Sequence, residues 1–81
     1  MQTRVAIIAI LVKDRESSSK INEILHEYGQ FIIGRLGLPY RQKSVNIISI
    51  AIDAPQDTIS ALSGKIGALK DVSVKTLYSD F

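Results

Sequence analysis

The stretch RVAIIAILVK, residues 4–13, decides the fold. All eight residues between Arg4 and Lys13 are apolar, so both alternating sets of side chains are hydrophobic. A strand with one face in water alternates apolar and polar residues, whereas a strand covered on both faces is apolar throughout. The stretch therefore predicts a central strand of a sheet that is covered on both sides.

A helix is predicted directly after this strand. Apolar residues from Ile21 to Tyr28 recur at i, i+3, i+4 and i+7, which predicts an amphipathic helix over residues 17–28. The serines at positions 17–19 offer N-cap hydroxyls, and Gly29 is placed as the C′ residue after the helix.

The middle of the chain predicts two strands. The first covers residues 31–38 and is interrupted by Gly34 and Gly37, which indicates a bulge or the close approach of another backbone. Residues 39–44 are a predicted turn. The strand over residues 45–54 is apolar on nearly every position, which again is typical of a central strand.

The last third predicts a helix and a final strand. Pro55 is expected in the first helical turn, Gly67 is a candidate stop, and the strand covers residues 72–77. The order β-α-β-β-α-β with right-handed crossovers predicts an α+β, ferredoxin-like fold. In this fold a four-stranded antiparallel sheet of strand order 4-1-3-2 carries two helices on one face, and we expect a single domain over residues 1–81.

One sheet face is left without helices. It carries one of two sets: Ile7, Ala9 and Leu11, or Ile8, Ile10 and Val12. An exposed apolar patch of this size is typical of an interface, so we expect a homo-oligomer, either a dimer or a tetramer, that forms through this face. A loosely covered sheet in a monomer is the alternative.

Composition narrows the function classes. The chain has no cysteine, which excludes disulfides and thiolate metal sites. The net charge is only +2 and the basic residues are scattered, so no direct binding of nucleic acid is expected. The apolar run of eight residues is too short to span a membrane, and no signal-peptide pattern is visible. We therefore expect a cytoplasmic protein that does not associate with a membrane.

No catalytic residue and no cofactor are predicted. No serine has a plausibly paired base, and the few carboxylates lie mostly at the ends of elements. His26 is the one histidine and falls on the polar side of the first helix near Asn22 and Glu23. We interpret His26 as a solvated surface residue, with a metal contact as the alternative.

The most distinctive segment is GRLGLPYR, residues 34–41. Arginine and tyrosine are common anchors for planar anions and for interfaces, whereas a plain hairpin with solvated arginines is the alternative. The segment before the first helix has no glycine, so it is not a phosphate loop. An effector or partner pocket would draw on five candidate residues: Asp14, Arg15, Arg35, Tyr40 and Arg41.

Four strings carry a resemblance to a known family: VKDRESSSKINEILHEYG, IIGRLGLPYR, ISALSGKIGAL and VSVKTLYS. They resemble ACT-like small-molecule-binding domains and, more closely, the regulators of the iron-only hydrogenase system, over about residues 4–78. The resemblance implies an ACT-like fold and a regulatory role without an established reaction. It also implies effectors at subunit interfaces near the first strand–helix loop, here residues 14–19. Two alternatives to an effector-binding regulator remain. The chain is either an assembly subunit of a metalloenzyme system or a metal-responsive module that uses His26.

Overall fold

The computed structural model describes residues 2–81 and shows a four-stranded antiparallel sheet with two helices. The elements are β1 (Arg4–Val12), α1 (Arg15–Glu27), β2 (Ile32–Tyr40), β3 (Val45–Ala54), α2 (Gln56–Gly67) and β4 (Val72–Tyr78), with 3₁₀ turns at Gly29–Phe31 and Arg41–Lys43. The strand order is β2-β3-β1-β4. The α+β ferredoxin-like prediction is confirmed, and β1 and β3 are the two central strands as predicted.

The core lies between the helices and one face of the sheet. The buried residues come from every second position of β1 and β3 and from the apolar stripes of both helices: Ala6, Ile8, Ile10, Val12, Ile21, Leu25, Ile48, Ile50, Ile52, Ala54, Ile59, Leu62 and Ile66. Because side chains alternate between the two faces of a strand, the residues of β1 and β3 that lie between these buried positions point away from the helices.

The structure decides between the two apolar sets of β1. Ile8 and Ile10 are 0% and 1% exposed, whereas Ile7 and Leu11 are 45% and 49% exposed. The face that carries Ile7 and Leu11, together with Leu36, Leu38 and Leu77 of the outer strands, is hereafter the open face. The prediction that one sheet face exposes a large apolar patch is thus confirmed.

Helix α1 begins two residues earlier than predicted, and its cap is different. The carboxylate of Asp14 accepts a hydrogen bond from the backbone N–H of Ser17 at 3.1 Å, so Asp14 is the N-cap. Ser17 is buried, and its Oγ donates to the carbonyl oxygen of Lys70 at 2.7 Å. The assignment of the serines as caps was wrong because Asp14, three residues before Ser17, caps a helix equally well. Gly29 follows the C-cap residue Tyr28 as predicted, but it opens a 3₁₀ turn with a negative φ.

Strand β2 is longer than predicted. It continues through Pro39 to Tyr40, which were assigned to the turn, and its bulge falls between Ile32 and Gly34. β2 is an edge strand, where a proline costs no ladder hydrogen bond if its nitrogen faces outward. The remaining turn, residues 41–44, ends at Ser44 in the left-handed conformation with φ of 53°.

Helix α2 ends at Gly67 as predicted, but Pro55 is its N-cap and not a residue of its first turn. Across residues 2–81, neither helix has the length and apolar character needed to cross a membrane.

Candidate functional site

A cleft opens at the end of the sheet where β1 and β2 finish and β3 begins. Its volume is about 270 Å³. Seven residues line it: Lys13, Arg15, Pro39, Tyr40, Arg41, Ser44 and Asn46. We call it the basic cleft, because three of the lining residues are cationic and none of the seven is acidic.

The three cations reach the cleft from different elements. Lys13 directly follows β1, Arg15 is the first residue of α1, and Arg41 is the first residue of the turn after β2. Like charges gathered on one concavity raise the local potential and concentrate anions there. Arginine adds planar, bidentate donors for carboxylate or phosphate groups.

In the β1–α1 connection, the two cationic residues line the basic cleft, whereas the acidic residue does not. The backbone N–H of Lys13 donates to the carbonyl oxygen of Asp71 at 3.0 Å, which ties the end of β1 to the start of β4. Asp14 lies between the two cations in sequence, but its carboxylate accepts a hydrogen bond from the backbone N–H of Ser17 at 3.1 Å. Asp14 is therefore absent from the lining of the basic cleft.

The turn after β2 supplies the other wall. The backbone N–H of Ser44 donates to the carbonyl oxygen of Arg41 at 3.2 Å, and Ser44 adopts φ 53° and ψ 45°. A left-handed conformation is uncommon for a residue other than glycine. This conformation of Ser44 reverses the chain direction within the turn. Arg41 and Ser44 therefore line the same cleft, and β3 starts beside β2.

Arg35 lies in a second, smaller groove of about 180 Å³ between α1 and β2. Its Nη2 donates to Oδ1 of Asn22 on α1 at 2.8 Å. Pro39 and Asn46 line both the groove and the basic cleft. Nδ2 of Asn46 donates to Oγ of Ser18 at 2.9 Å, so this polar pair stands where the two depressions meet.

The structure brings together three of the five candidate residues. Arg15, Tyr40 and Arg41 line the basic cleft, Arg35 lies in the adjoining groove, and Asp14 caps α1. Four lining residues were not among the candidates: Lys13, Pro39, Ser44 and Asn46. Lys13 could have been identified from the sequence, since it is the first charged residue after the apolar run. Asn46 depends on the pairing of β2 with β3, which sets it opposite Pro39.

His26 lies exposed in the last turn of α1. Within residues 2–81 no group of three or more histidine, cysteine, aspartate or glutamate side chains is positioned to hold a metal ion. His26 belongs to no such group among residues 2–81, and it does not line the basic cleft.

Solved structures with little sequence similarity share the fold. The ACT domain from the GTP pyrophosphokinase of Chlorobium tepidum is 18% identical, with a TM-score of 0.75 over 95% of this chain and 89% of that chain. A formyltetrahydrofolate deformylase from Pseudomonas putida is 12% identical, with a TM-score of 0.68 over 95% of this chain and 29% of that chain. These likenesses show the ACT-like fold and nothing more. No curated protein is significantly similar in sequence.

A closer relative is the uncharacterized protein TM1266 from Thermotoga maritima. It is 40% identical, with a TM-score of 0.92 over 95% of this chain and 98% of that chain. The sequence profile described as "TM1266-like: Iron-only hydrogenase system regulator, putative" matches residues 4–76. The chain therefore belongs to the TM1266-like family of iron-only hydrogenase system regulators.

Proposed function

We propose that this chain is a non-catalytic regulatory module that binds a small anionic effector in the basic cleft and works as a homo-oligomer. The observation that carries the proposal is the convergence of Lys13, Arg15 and Arg41 on one concavity whose lining contains no carboxylate. Membership of a regulator family supports the regulatory role. A cytoplasmic location stays a prediction of the sequence.

The dimensions of the basic cleft favour a small ligand. Pockets for drug-sized ligands span about 300–1,000 Å³, and the basic cleft holds about 270 Å³. Ser44 and Asn46 add uncharged polar groups beside the three cations. A compact anion with one or two phosphate or carboxylate groups fits this combination of size and charge.

Oligomerisation through the open face completes the proposal. Leu36, Leu38 and Leu77 are 63%, 54% and 69% exposed there. Patches of this character on small domains mark contact surfaces. The same surface also favours a second candidate function, in which the chain is an assembly subunit that docks a partner protein and binds no small ligand.

The test measures anion binding with two defined probes, inorganic phosphate and citrate. A ligand that binds only the folded state raises the melting temperature with its concentration. We expect a concentration-dependent rise for at least one probe, which weakens as sodium chloride is added. Arg15→Ala or Arg41→Ala removes a charged hydrogen-bond donor, so the dissociation constant should increase about 10- to 100-fold.

Lys20→Ala is the matched control, since it removes one positive charge from an exposed site on α1 outside the basic cleft. It should leave the dissociation constant within about twofold of the original, because Lys20 does not line the basic cleft and salt weakens the field of its exposed charge. If neither probe stabilises the protein, or if Lys20→Ala weakens binding as much as Arg41→Ala does, the anion site is refuted. Either result would favour the second candidate function, in which the chain docks a partner protein.

A further inference from the structure

The open face carries two side chains of opposite charge among its apolar residues. Asp53 of β3 is paired with Val5, and Lys75 of β4 is paired with Ala9. Both are exposed. Within the strand pairings that the structure describes, the other open-face positions are apolar or small: Val5, Ile7, Ala9, Leu11, Gly34, Leu36, Leu38, Tyr40, Val45, Ile47, Ser49, Ala51, Ser73 and Leu77.

These two charges are placed symmetrically about Ile7. Along β1, Ile7 lies two residues from Val5 and two residues from Ala9, and β3 and β4 flank β1 on opposite sides. Asp53 and Lys75 are thus separated by two strand spacings across the sheet and four residues along it, roughly 16 Å on ordinary sheet dimensions. They are too far apart to pair within one chain.

From this arrangement we infer that the open face binds the open face of a second copy, with Ile7 on the two-fold axis. When two copies of the face are stacked about an axis that lies between them and passes over Ile7, each Lys75 can lie above Asp53 of the second copy. A single such contact implies its mate, because a two-fold interface is isologous. The inference rests on the homo-oligomer in the proposed function and adds its register.

The shape of the open face agrees with this register. A depression of about 390 Å³ lies next to Ile7 and is lined by Val5 and Leu77, among others. The rotation that superposes Lys75 on Asp53 also brings Leu77 of one copy over Val5 of the other. Two exposed apolar side chains therefore meet on each side of the axis.

Charge and area favour a second copy over an unrelated protein. A different partner would have to supply both complementary charges at this spacing, whereas a second copy has them already. The face measures about 20 Å by 30 Å from strand spacing and length, so two copies bury at most about 1,200 Å² in total. That is the lower limit for a stable interface, and we expect a dissociation constant in the micromolar range.

Sedimentation equilibrium of charge-reversal variants tests the register. Lys75→Asp, or Asp53→Lys, sets like charges against each other twice per interface and should weaken association on the order of 100-fold. The double variant Lys75→Asp/Asp53→Lys restores both pairs with reversed polarity, and its dissociation constant should return to within about threefold of the original, since the two sites then pair as before. Lys20→Asp, an equal change of charge on the helix layer, is the control and should not alter association.

Three results would overturn the inference. They are a protein that stays monomeric at about 100-fold above the expected micromolar constant, single variants that associate as the original does, and a double variant weaker than both single variants. Melting shifts with phosphate and citrate, measured on the same variants, separate this failure from failure of the effector site. Asp53 and Lys75 are absent from the lining of the basic cleft, so anion binding should persist in the monomeric variants.

Discussion

The two faces of β1 are alike in chemistry and opposite in environment. Ala6, Ile8 and Ile10 on one face are buried by the helices, while Ile7 and Leu11 on the other are about half exposed. The apolar pattern alone indicates that both faces of β1 are suited to burial. It does not indicate whether the residues that bury each face belong to the same chain. One face is closed by α1 and α2 of this chain, and the other is suited to closure by a second molecule.

The largest expected effect contrasts Ile8 with its neighbour Ile7. Ile8 is 0% exposed inside the core, so Ile8→Ala leaves a cavity and should lower the free energy of unfolding by about 2–5 kcal/mol. Ile7→Ala removes methylene groups that are already partly in water and should cost less than about 1 kcal/mol in the monomer. Urea denaturation at the lowest practicable protein concentration measures both values.

Protein concentration provides the control for this contrast. Association stabilises the folded state by mass action, so the original protein should gain stability as its concentration rises, and Ile7→Ala should gain less. Equal losses for Ile7→Ala and Ile8→Ala at low concentration would mean that the open face is already covered within one chain. The distinction between the two faces would then be wrong.

The fold was predictable from the sequence because its main determinants are local patterns. Two strands that are apolar throughout identified the centre of the sheet, and the bounds of β3 at residues 45–54 were predicted without error. The errors fall where two local rules compete. Asp14 competed with the serines for the cap, and Pro39 was assigned to a turn because an edge position cannot be inferred from the proline itself.

The basic cleft was only partly predictable, because it depends on contacts between distant parts of the chain. Arg15, Tyr40 and Arg41, which line the basic cleft, were named as candidates from residue type and position. Asn46 was not, since its place follows from the register in which Pro39 pairs with it. A register error of one residue would move Asn46 to the other sheet face. The separation of Arg35 into the adjoining groove also depends on this register.

The next prediction concerns how tightly the helices pack on the sheet face opposite the open face, hereafter the covered face. A Cβ atom on Gly67, the last residue of α2, would lie 2.9 Å from Cγ1 of Val74 on β4. Gly67→Ala therefore forces the helix end and the strand apart, and we expect a loss of about 1–3 kcal/mol of unfolding free energy. Thermal or urea denaturation measures it.

Gly64 is the matched control, one turn earlier in the same helix. A Cβ atom there would meet nothing within 4 Å, so Gly64→Ala should stabilise the protein by about 0.4–1 kcal/mol through the lower entropy of the unfolded chain. Opposite signs for the two substitutions are expected. A stabilising Gly67→Ala would show that β4 can shift away from α2 at little cost and that the covered face is loosely packed near its edge.

The smallest effect concerns Asp14, which holds the start of α1 on the covered face and lies beside the basic cleft. Asp14→Ala removes the acceptor for the N–H of Ser17 and should cost about 1 kcal/mol. Asp14→Asn keeps a capping oxygen, so its stability should stay within about 0.5 kcal/mol of the original. Chemical denaturation of the two variants measures this difference.

The same pair of substitutions separates the capping role of Asp14 from its charge. Asp14→Asn removes a negative charge that follows Lys13 and precedes Arg15, so phosphate or citrate should bind about two- to threefold more tightly at low salt. The gain should vanish as sodium chloride screens the field. If Asp14→Asn is as unstable as Asp14→Ala, the carboxylate charge stabilises α1 through the helix dipole, and the hydrogen bond to Ser17 is the lesser contribution.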